Sequence, residues 1–345
     1  MATLAAMDQS ELLTAAKAGD EHAFEGLLAP YRRELRLHCY RMAGSMHEAD
    51  DLLQETLLKV WKGLPSFEDR SSLRTWLYRV ATNACLDVLE KRQPRVLPFD
   101  LDGPVAPGDS IGYPSEESSW LGPCPEEFYS SLAASPAAHY ELQQSVSLAF
   151  LTAIQKLPAR QRAVLILRDV LGFEASECAV LLEVSTASIN SLLQRARETL
   201  AALAPLAPKL TMSRAAASAP TPEQLKLLTR YVQAWEGADV SALVALLVDD
   251  ASLAMPPLPQ WILGAQAIGA SIEAMVFSPA GPGAFRLFLT EANGQPALAA
   301  YQWQPEREEL LPFALHVLEL RGDKIASITA FLDPEIVSLF PHRVL

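Results

Sequence analysis

The period of the hydrophobic pattern changes along this chain, and the changes divide it into folding segments. Apolar residues recur three to four positions apart in residues 8–95 and again in residues 140–205, a spacing typical of amphipathic helices. Residues 96–139 are rich in proline, glycine, serine and aspartate and have no period, so they are predicted to be a linker. A second linker, residues 206–220, precedes residues 221–345. The pattern predicts several domains rather than one.

The last segment has a different pattern from the two helical ones. After two amphipathic helices it contains strand-like runs such as "AFRLFLTEANGQPALAAYQWQ" and "LPFALHVLELRGDKIASITAFLD". Within these runs "NGQ" and "RGDK" are hairpin-turn signals. We therefore predict an α+β domain over residues 221–345, following two all-α segments.

Charge is unevenly distributed along the chain. The totals are 28 Lys+Arg and 41 Asp+Glu, a formal net charge of −13. Residues 8–95 carry 13 basic and 14 acidic side chains and residues 140–205 carry 6 of each, whereas residues 96–139 carry 7 acidic and no basic ones. The helical segments are therefore nearly neutral, which allows a local basic face but indicates modest intrinsic affinity for DNA.

The stretch "EASECAVLLEVSTASINSLLQRARETL", residues 174–200, fits a helix-turn-helix. Val184-Ser185 would form the turn and Thr186 would begin the second helix. One face of that helix is apolar, and short polar side chains on the other suit base edges in a major groove. Glu183 is unusual, because many such turns carry glycine there. The alternative is an ordinary helical hairpin. The DNA-contact candidates are Thr186, Ser188, Asn190, Ser191, Gln194, Arg195 and Arg197.

Two stretches together carry a specific resemblance. "HEADDLLQETLLKVWKGLPSF" with "SSLRTWLYRVATNACLDVLEKR" resembles region 2 of the extracytoplasmic-function (ECF) sigma factors of the sigma-70 family, and "LPARQRAVLILRDVLGFEASECAVLLEVSTASINSLLQRAR" resembles their region 4. The resemblance implies a region 2 helical bundle, a region 4 helix-turn-helix and a role in bacterial transcription initiation. The implied partners are core RNA polymerase, through its β′ clamp helices and β flap, and promoter DNA.

The resemblance also assigns residues to the polymerase interface. The family's Asp-x-x-Gln-Glu pattern, which docks on the β′ clamp helices, matches Asp51, Gln54 and Glu55, with Asp50 beside them. The spacing agrees, because positions i, i+3 and i+4 share one helix face. An acidic, hydrogen-bonding face complements a basic partner. The alternative is a solvated helix face.

Promoter opening is assigned to the loop "FEDRSS" and the helix that follows it. In the family a −10 base of the non-template strand is flipped into a pocket, whose contacts must offset the cost of unstacking. Trp61 and Trp76 could stack on bases or pack in the core. The −35 element would be read by the helix from Thr186. The −10 candidates are Phe67, Asp69, Arg70, Ser71, Arg74, Arg79 and Asn83.

The C-terminal segment resembles the ketosteroid-isomerase or SnoaL-like cone, in which helices pack on a curved sheet around a pocket. The family's tyrosine is kept as Tyr231, but its base is Met255 here and its oxyanion aspartate is His316. Methionine cannot move a proton, so isomerase chemistry is not expected. We expect a domain that regulates the sigma regions in cis, and not an enzyme. The alternatives are a DNA-tethered enzyme, a purely structural cone, or a sensor binding a small apolar molecule. The pocket candidates are Tyr231, Met255, Trp261, Trp303 and His316.

The linker contains "WLGPCPEEF", residues 120–128, which resembles a motif of the sigma factors that carry this cone. It is apolar enough to dock on another part of the protein. The scattered cysteines Cys39, Cys85, Cys124 and Cys178 indicate reduced thiols in a cytoplasmic protein. We expect no metal, no cofactor, no catalytic residue and no membrane span.

Overall fold

The structure, a computed structural model, forms two compact units that alternate along the chain. It describes residues 8–68, 71–101, 103–105, 112, 120–132, 135–203 and 221–341. The first unit comprises Met1–Pro94, Phe128–Ala134 and Ala153–Pro205, and the second comprises Arg95–Glu127, Ser135–Thr152 and Leu206–Leu345.

The first unit begins with four helices, each started by a side-chain cap. They are α1 (Gln9–Lys17), α2 (Glu21–Ala43), α3 (Met46–Gly63) and α4 (Leu73–Leu89). The Oγ of Ser72 accepts a hydrogen bond from the Thr75 amide at 3.1 Å, as a helix cap does. Their apolar faces meet in a core that includes Leu28, Tyr40 and Tyr78, all with 0% exposure.

Five further helices follow up to residue 203. They are α5 (Pro136–Gln144), α6 (Leu148–Gln155), α7 (Ala159–Leu165), α8 (Ala175–Leu182) and α9 (Thr186–Leu203), with a π-helical turn at Ile166–Val170. The predicted helix-turn-helix is present as α8 and α9. Ile189 and Ala196 on α9 are fully buried, as the apolar face requires.

The second unit contains the predicted α+β cone. Its helices are α10 (Pro222–Glu236), α11 (Val240–Ala245), α12 (Ala265–Ile272), α13 (Ser278–Ala280) and α14 (Pro334–Ser338). Its strands are β1 (Leu247–Ala254), β2 (Trp261–Leu263), β3 (Phe285–Ala292), β4 (Gln295–Gln304), β5 (Glu309–Arg321) and β6 (Lys324–Phe331). The strand order is β2-β1-β6-β5-β4-β3, with only β1 and β6 parallel among these neighbouring pairs.

Both predicted hairpin turns are confirmed. Asn293 and Gly294 join β3 to β4 with positive φ angles of 57° and 70°, the geometry of a type I′ turn. Gly322 has a φ of 66° between β5 and β6, where Arg321 pairs with Lys324. The α+β assignment of this segment is therefore correct.

The Asn293 turn is buried and binds two segments that lie outside the predicted cone. Asn293 has 0% exposure, and its backbone N–H donates to the Cys124 carbonyl at 2.9 Å. Its side-chain oxygen accepts from the Cys124 amide at 2.9 Å, and its side-chain nitrogen donates to the Val146 carbonyl at 2.6 Å. Two segments that we placed in a linker (96–139) and in region 4 (140–205) are thereby tied to the cone.

The apolar linker motif is divided between the units. Leu121 and Cys124 are buried in the second unit, whereas Phe128 belongs to the first. The four cysteines are buried and free. Among the helices that the structure describes, none is long and apolar enough to cross a membrane.

Candidate polymerase- and DNA-binding surfaces

Helix α3 presents an exposed polar face above a buried leucine face. Leu52 and Leu53 are 2% and 7% exposed. The Asp51 side chain is 73% exposed, and that of Glu55 is 43% exposed with its carboxylate 2.9 Å from the Lys59 ammonium group. Gln54 is exposed as well. The structure therefore brings Asp51, Gln54 and Glu55 together on one accessible surface, which we call the acidic face.

Asp50 is held differently from its neighbours. The Arg36 guanidinium on α2 binds both Asp50 carboxylate oxygens. The same guanidinium lies 3.9 Å from the ring centre of Phe128, a cation–π contact. Asp50 is therefore tied to α2, and it is less available to a partner than Asp51.

A cleft of about 460 Å³ opens beside the acidic face on α3 and α4. Two of the −10 candidates, Arg79 and Asn83, lie in its wall. Trp76, which the sequence left undecided between stacking and core packing, also lines it and packs against Phe67 with ring centres 5.0 Å apart. Phe67 is only 7% exposed, so it supports the cleft wall from behind. The lining residues are Lys59, Gly63, Ser66, Trp76, Arg79, Val80 and Asn83.

Arg74 lies outside the residues that line the cleft. Its guanidinium binds the Glu34 carboxylate at 3.0 Å and stacks 4.9 Å from the Tyr78 ring centre and 5.0 Å from that of Phe173. Burial alone would lower the pKa of Arg74, but the hydrogen bond to Glu34 and the nearby charges outweigh it, so that pKa is raised. Ser71 is half-buried just before α4. The remaining −10 candidates, Asp69 and Arg70, lie outside the described residues.

Helix α9 carries all seven predicted −35 contacts on its exposed surface. The Arg195 guanidinium donates to the Ser191 Oγ at 2.9 Å, and the Gln194 amide donates to the Glu198 carboxylate at 2.9 Å. Arg197 is turned aside, because its guanidinium binds Asp169 at 2.7 and 3.0 Å. That hydrogen bond raises the pKa of Arg197. Thr186, Ser188 and Asn190 are exposed near the N-terminal end, where such a helix meets base edges.

The five pocket candidates of the cone differ in their burial and in their contacts. Tyr231 and His316 are buried, and the Tyr231 hydroxyl lies 3.1 Å from the His316 Nδ1. Burial lowers the pKa of His316 to about 3 and raises that of Tyr231. The Trp235 ring centre lies 4.6 Å from that of His316, so this indole occupies the interior beside the pair.

The other three candidates have different surroundings. Met255 belongs to the same apolar core cluster as Tyr231 and Trp235. The ring of Trp261 packs against that of Phe99, with centres 5.5 Å apart. Trp303, near the end of β4, is 43% exposed. The sequence named Tyr231 and His316 as separate pocket candidates; their hydrogen bond and the core position of Trp235 were not predicted.

One contact within the first unit was not predicted. Glu183, between α8 and α9, binds the guanidinium of Arg79 on α4. The sequence offered one signal, an acidic residue where helix-turn-helix turns often carry glycine. The structure places Glu183 at φ 55° and ψ 42°, the left-handed conformation that favours glycine.

Comparison with known proteins identifies two sigma-70 regions in this chain. Residues 27–95 match the family Sigma-70 region 2, and residues 147–200 match the family Sigma-70, region 4. The chain is 45% identical over 320 residues to the ECF RNA polymerase sigma factor SigG of Mycobacterium tuberculosis (strain ATCC 25618 / H37Rv), covering 92% of this chain and 82% of that protein. It is 30% identical over 184 residues to the ECF RNA polymerase sigma factor SigW of Bacillus subtilis (strain 168), covering 53% of this chain and 90% of that one.

A solved structure shares the fold over most of the length. The crystal structure of the Mycobacterium tuberculosis extracytoplasmic function sigma factor SigJ superposes with a TM-score of 0.54 at 20% identity, covering 90% of this chain and 98% of that one. Both sigma-70 regions occur in family order, and the identity to SigG extends over nearly the whole chain. This chain therefore belongs to the ECF sigma factors of bacterial RNA polymerase.

Proposed function

We propose that this sigma factor binds core RNA polymerase through the acidic face of α3 and directs it to promoters. The observation that carries the proposal is the exposure of Asp51, Gln54 and Glu55 above leucines that fix the helix in its bundle. Because the supporting residues are buried, the face is rigid, and its negative charge suits the basic surface of a clamp helix pair. Asp50 supports the acidic face indirectly, because its bond to Arg36 ties α3 to α2.

Reversing the charge of Asp51→Arg with Glu55→Arg tests this assignment. Both side chains are at least 43% exposed, so the bundle should fold normally. We expect co-elution with core polymerase to be lost, at a cost of roughly 2–5 kcal/mol in binding. The matched control is Glu21→Arg with Glu25→Arg, which makes the same charge change four residues apart on the exposed side of α2. If both double variants co-elute like the wild type, the acidic face is not the polymerase site.

For promoter DNA we propose two surfaces. The cleft beside α4 receives a flipped −10 base, with Trp76 as a stacking partner and Arg79 and Asn83 facing the strand. Its size and its mixture of an aromatic ring with basic and amide groups support this role. The exposed residues Thr186, Ser188 and Asn190 on α9, with Ser191, Gln194 and Arg195, read the −35 element. Arg197 contacts phosphate when it exchanges Asp169 for the DNA backbone.

The cone regulates the sigma regions in cis and is not an enzyme in this proposal. Support for regulation comes from the linker, because residues on both sides of Phe128–Ala134 fold with the cone. Met255 stands where the isomerases carry their base. His316, with a pKa of about 3, is a weak base at neutral pH. The buried Tyr231–His316 hydrogen bond is assigned a structural role, and the protein acts in the cytoplasm with its polymerase.

A further inference from the structure

The turn between α8 and α9 carries an acidic side chain in a conformation that disfavours it. Glu183 adopts φ 55°, where a Cβ is crowded and glycine is preferred. Its side chain is 65% exposed, yet its carboxylate binds the guanidinium of Arg79, which is 41% exposed. The turn of the helix-turn-helix therefore binds an arginine that lines the −10 cleft.

A second contact from the same part of the chain lies nearby on α4. Phe173, in the loop before α8, is 4% exposed, and its ring centre is 5.2 Å from that of Tyr78. The Arg74 guanidinium stacks on both rings. Region 4 thus meets α4 through an apolar contact at Phe173 and an ionic contact at Glu183, and it engages two of the arginines assigned to the −10 strand.

The contacts of Phe173 and Glu183 with α4 cannot persist while the protein binds both promoter elements, for two reasons. The guanidinium nitrogen of Arg79 that donates to Glu183 cannot donate the same N–H to a phosphate. In addition, the −10 and −35 elements lie about 25 base pairs apart, or roughly 85 Å of duplex at 3.4 Å per base pair. A side-chain contact between the helix for one element and the turn beside the helix for the other cannot persist when both elements are bound.

We propose that Glu183 is an internal competitor of the promoter strand. Glu183 takes the place of a phosphate on Arg79 and so holds region 4 against region 2. This inference rests on the DNA-binding role proposed above and adds its regulation. Opening is favoured when polymerase or DNA binds the separated regions, because each prefers the state in which Arg79 is free. The competitor is built into the fold and needs no separate inhibitor.

The test is Glu183→Gly in the full-length protein, measured by fluorescence anisotropy with a labelled single-stranded oligodeoxynucleotide of mixed sequence over a range of NaCl concentrations. Glycine suits the left-handed turn, so the variant should fold. The matched control is Glu308→Gly, an exposed glutamate of the cone with a φ of 53°. It makes the same change of net charge and the same relief of backbone strain.

We expect Glu183→Gly to bind the oligonucleotide roughly two- to fivefold more tightly than the control, which is the range in which exposed ion pairs compete. The slope of log K against log salt should steepen by about 0.7, the value for one additional phosphate contact on a single strand. Equal affinities and slopes for the two variants would overturn the proposal. The polymerase test at Asp51 and Glu55 is independent of this result, so the two proposals can fail separately.

A charge swap tests the contact itself. In Glu183→Arg the two regions should separate, and amide hydrogen exchange across residues 172–185 and 74–83 should rise. Combining it with Arg79→Glu restores an ion pair of opposite polarity, and exchange should return toward the wild-type value. Exchange that is the same in all three proteins would show that Glu183 does not hold the regions together.

Discussion

Replacing Asn293 with glycine should release two parts of the chain from the cone at once. The turn keeps its conformation, because glycine adopts the φ of 57° that Asn293 has. What is lost is the side chain, which accepts from the Cys124 amide at 2.9 Å and donates to the Val146 carbonyl at 2.6 Å. The backbone bond from residue 293 to the Cys124 carbonyl can remain.

The size of the effect follows from burial. Asn293 and Cys124 are both 0% exposed, so water cannot readily replace the lost partners. Leaving a buried donor or acceptor unsatisfied costs about 1–3 kcal/mol each, so two such groups should cost roughly 3 kcal/mol. At 1.36 kcal/mol per factor of ten, the opening equilibrium of these segments should rise roughly a hundredfold.

Amide hydrogen exchange of residues 120–127 and 141–146 is the assay. Both segments should exchange faster by about that factor, whereas α3 and α4 should be unchanged. Asp323→Gly, in the exposed β5–β6 turn, is the control for adding a glycine to a hairpin. If the two variants exchange alike in residues 120–127, the Asn293 side chain does not anchor the linker.

Two further predictions address DNA reading and pH. Alanine at Asn190, Gln194 or Arg195 should cost roughly 1–3 kcal/mol of DNA-binding free energy and relax −35 specificity, whereas Arg197→Ala should weaken binding to all promoters alike. In vitro transcription from a promoter library checks this. A change in sequence preference with Arg197→Ala alone would contradict it. His38 and His316 both have a pKa lowered to about 3 by burial, so the unfolded state binds more protons below pH 6.5. Stability should therefore fall as pH drops from 6.5 toward 3. Each histidine should cost about 2 kcal/mol of stability by pH 5. Urea unfolding at pH 7 and pH 5 checks this, and equal stability at the two pH values would contradict it for both histidines.

The surfaces on α3 and α9 could be predicted because each is determined locally. The i, i+3, i+4 spacing of Asp51, Gln54 and Glu55 places them on one face whatever the neighbours are, and the buried leucines beside them fix which face is outside. The turn at Val184-Ser185 and the helix from Thr186 also follow from local pattern. The structure confirms these elements, and the roles of their side chains remain proposals.

The linker shows what a local pattern cannot provide. Proline, glycine and serine in residues 96–139 predict a linker, but composition does not show that Leu121 and Cys124 are buried or that a distant hairpin binds Cys124. Likewise "NG" predicts the dihedral angles of the β3–β4 turn, not its burial. Gly294 is needed for a further reason, since a Cβ there would lie 2.9 Å from the Cβ of Gln143.

The packing inside the cone could not be predicted for a related reason. The resemblance identified Tyr231 and His316, which do meet, but it could not show which neighbour fills the space between helix and sheet. Trp235 follows Tyr231 by one helical turn and lies against the rings of His316, Phe277 and Phe285. Such packing depends on side chains from three distant segments, and no single stretch of sequence specifies it.

Cys124 and Asn293, which are hydrogen-bonded, lie 169 residues apart in the chain, so this bond can form only well after Cys124 has been translated. At about 5–20 residues per second, a ribosome needs roughly 10–30 s to reach the hairpin after it has made the linker motif. Both sigma regions have been translated before that hairpin exists. Every new chain therefore passes through a period in which Cys124 lacks its hydrogen bonds to Asn293 and the sigma regions have no cone. Chaperones and core polymerase can meet the nascent factor in that period, before any restraint imposed by the cone begins.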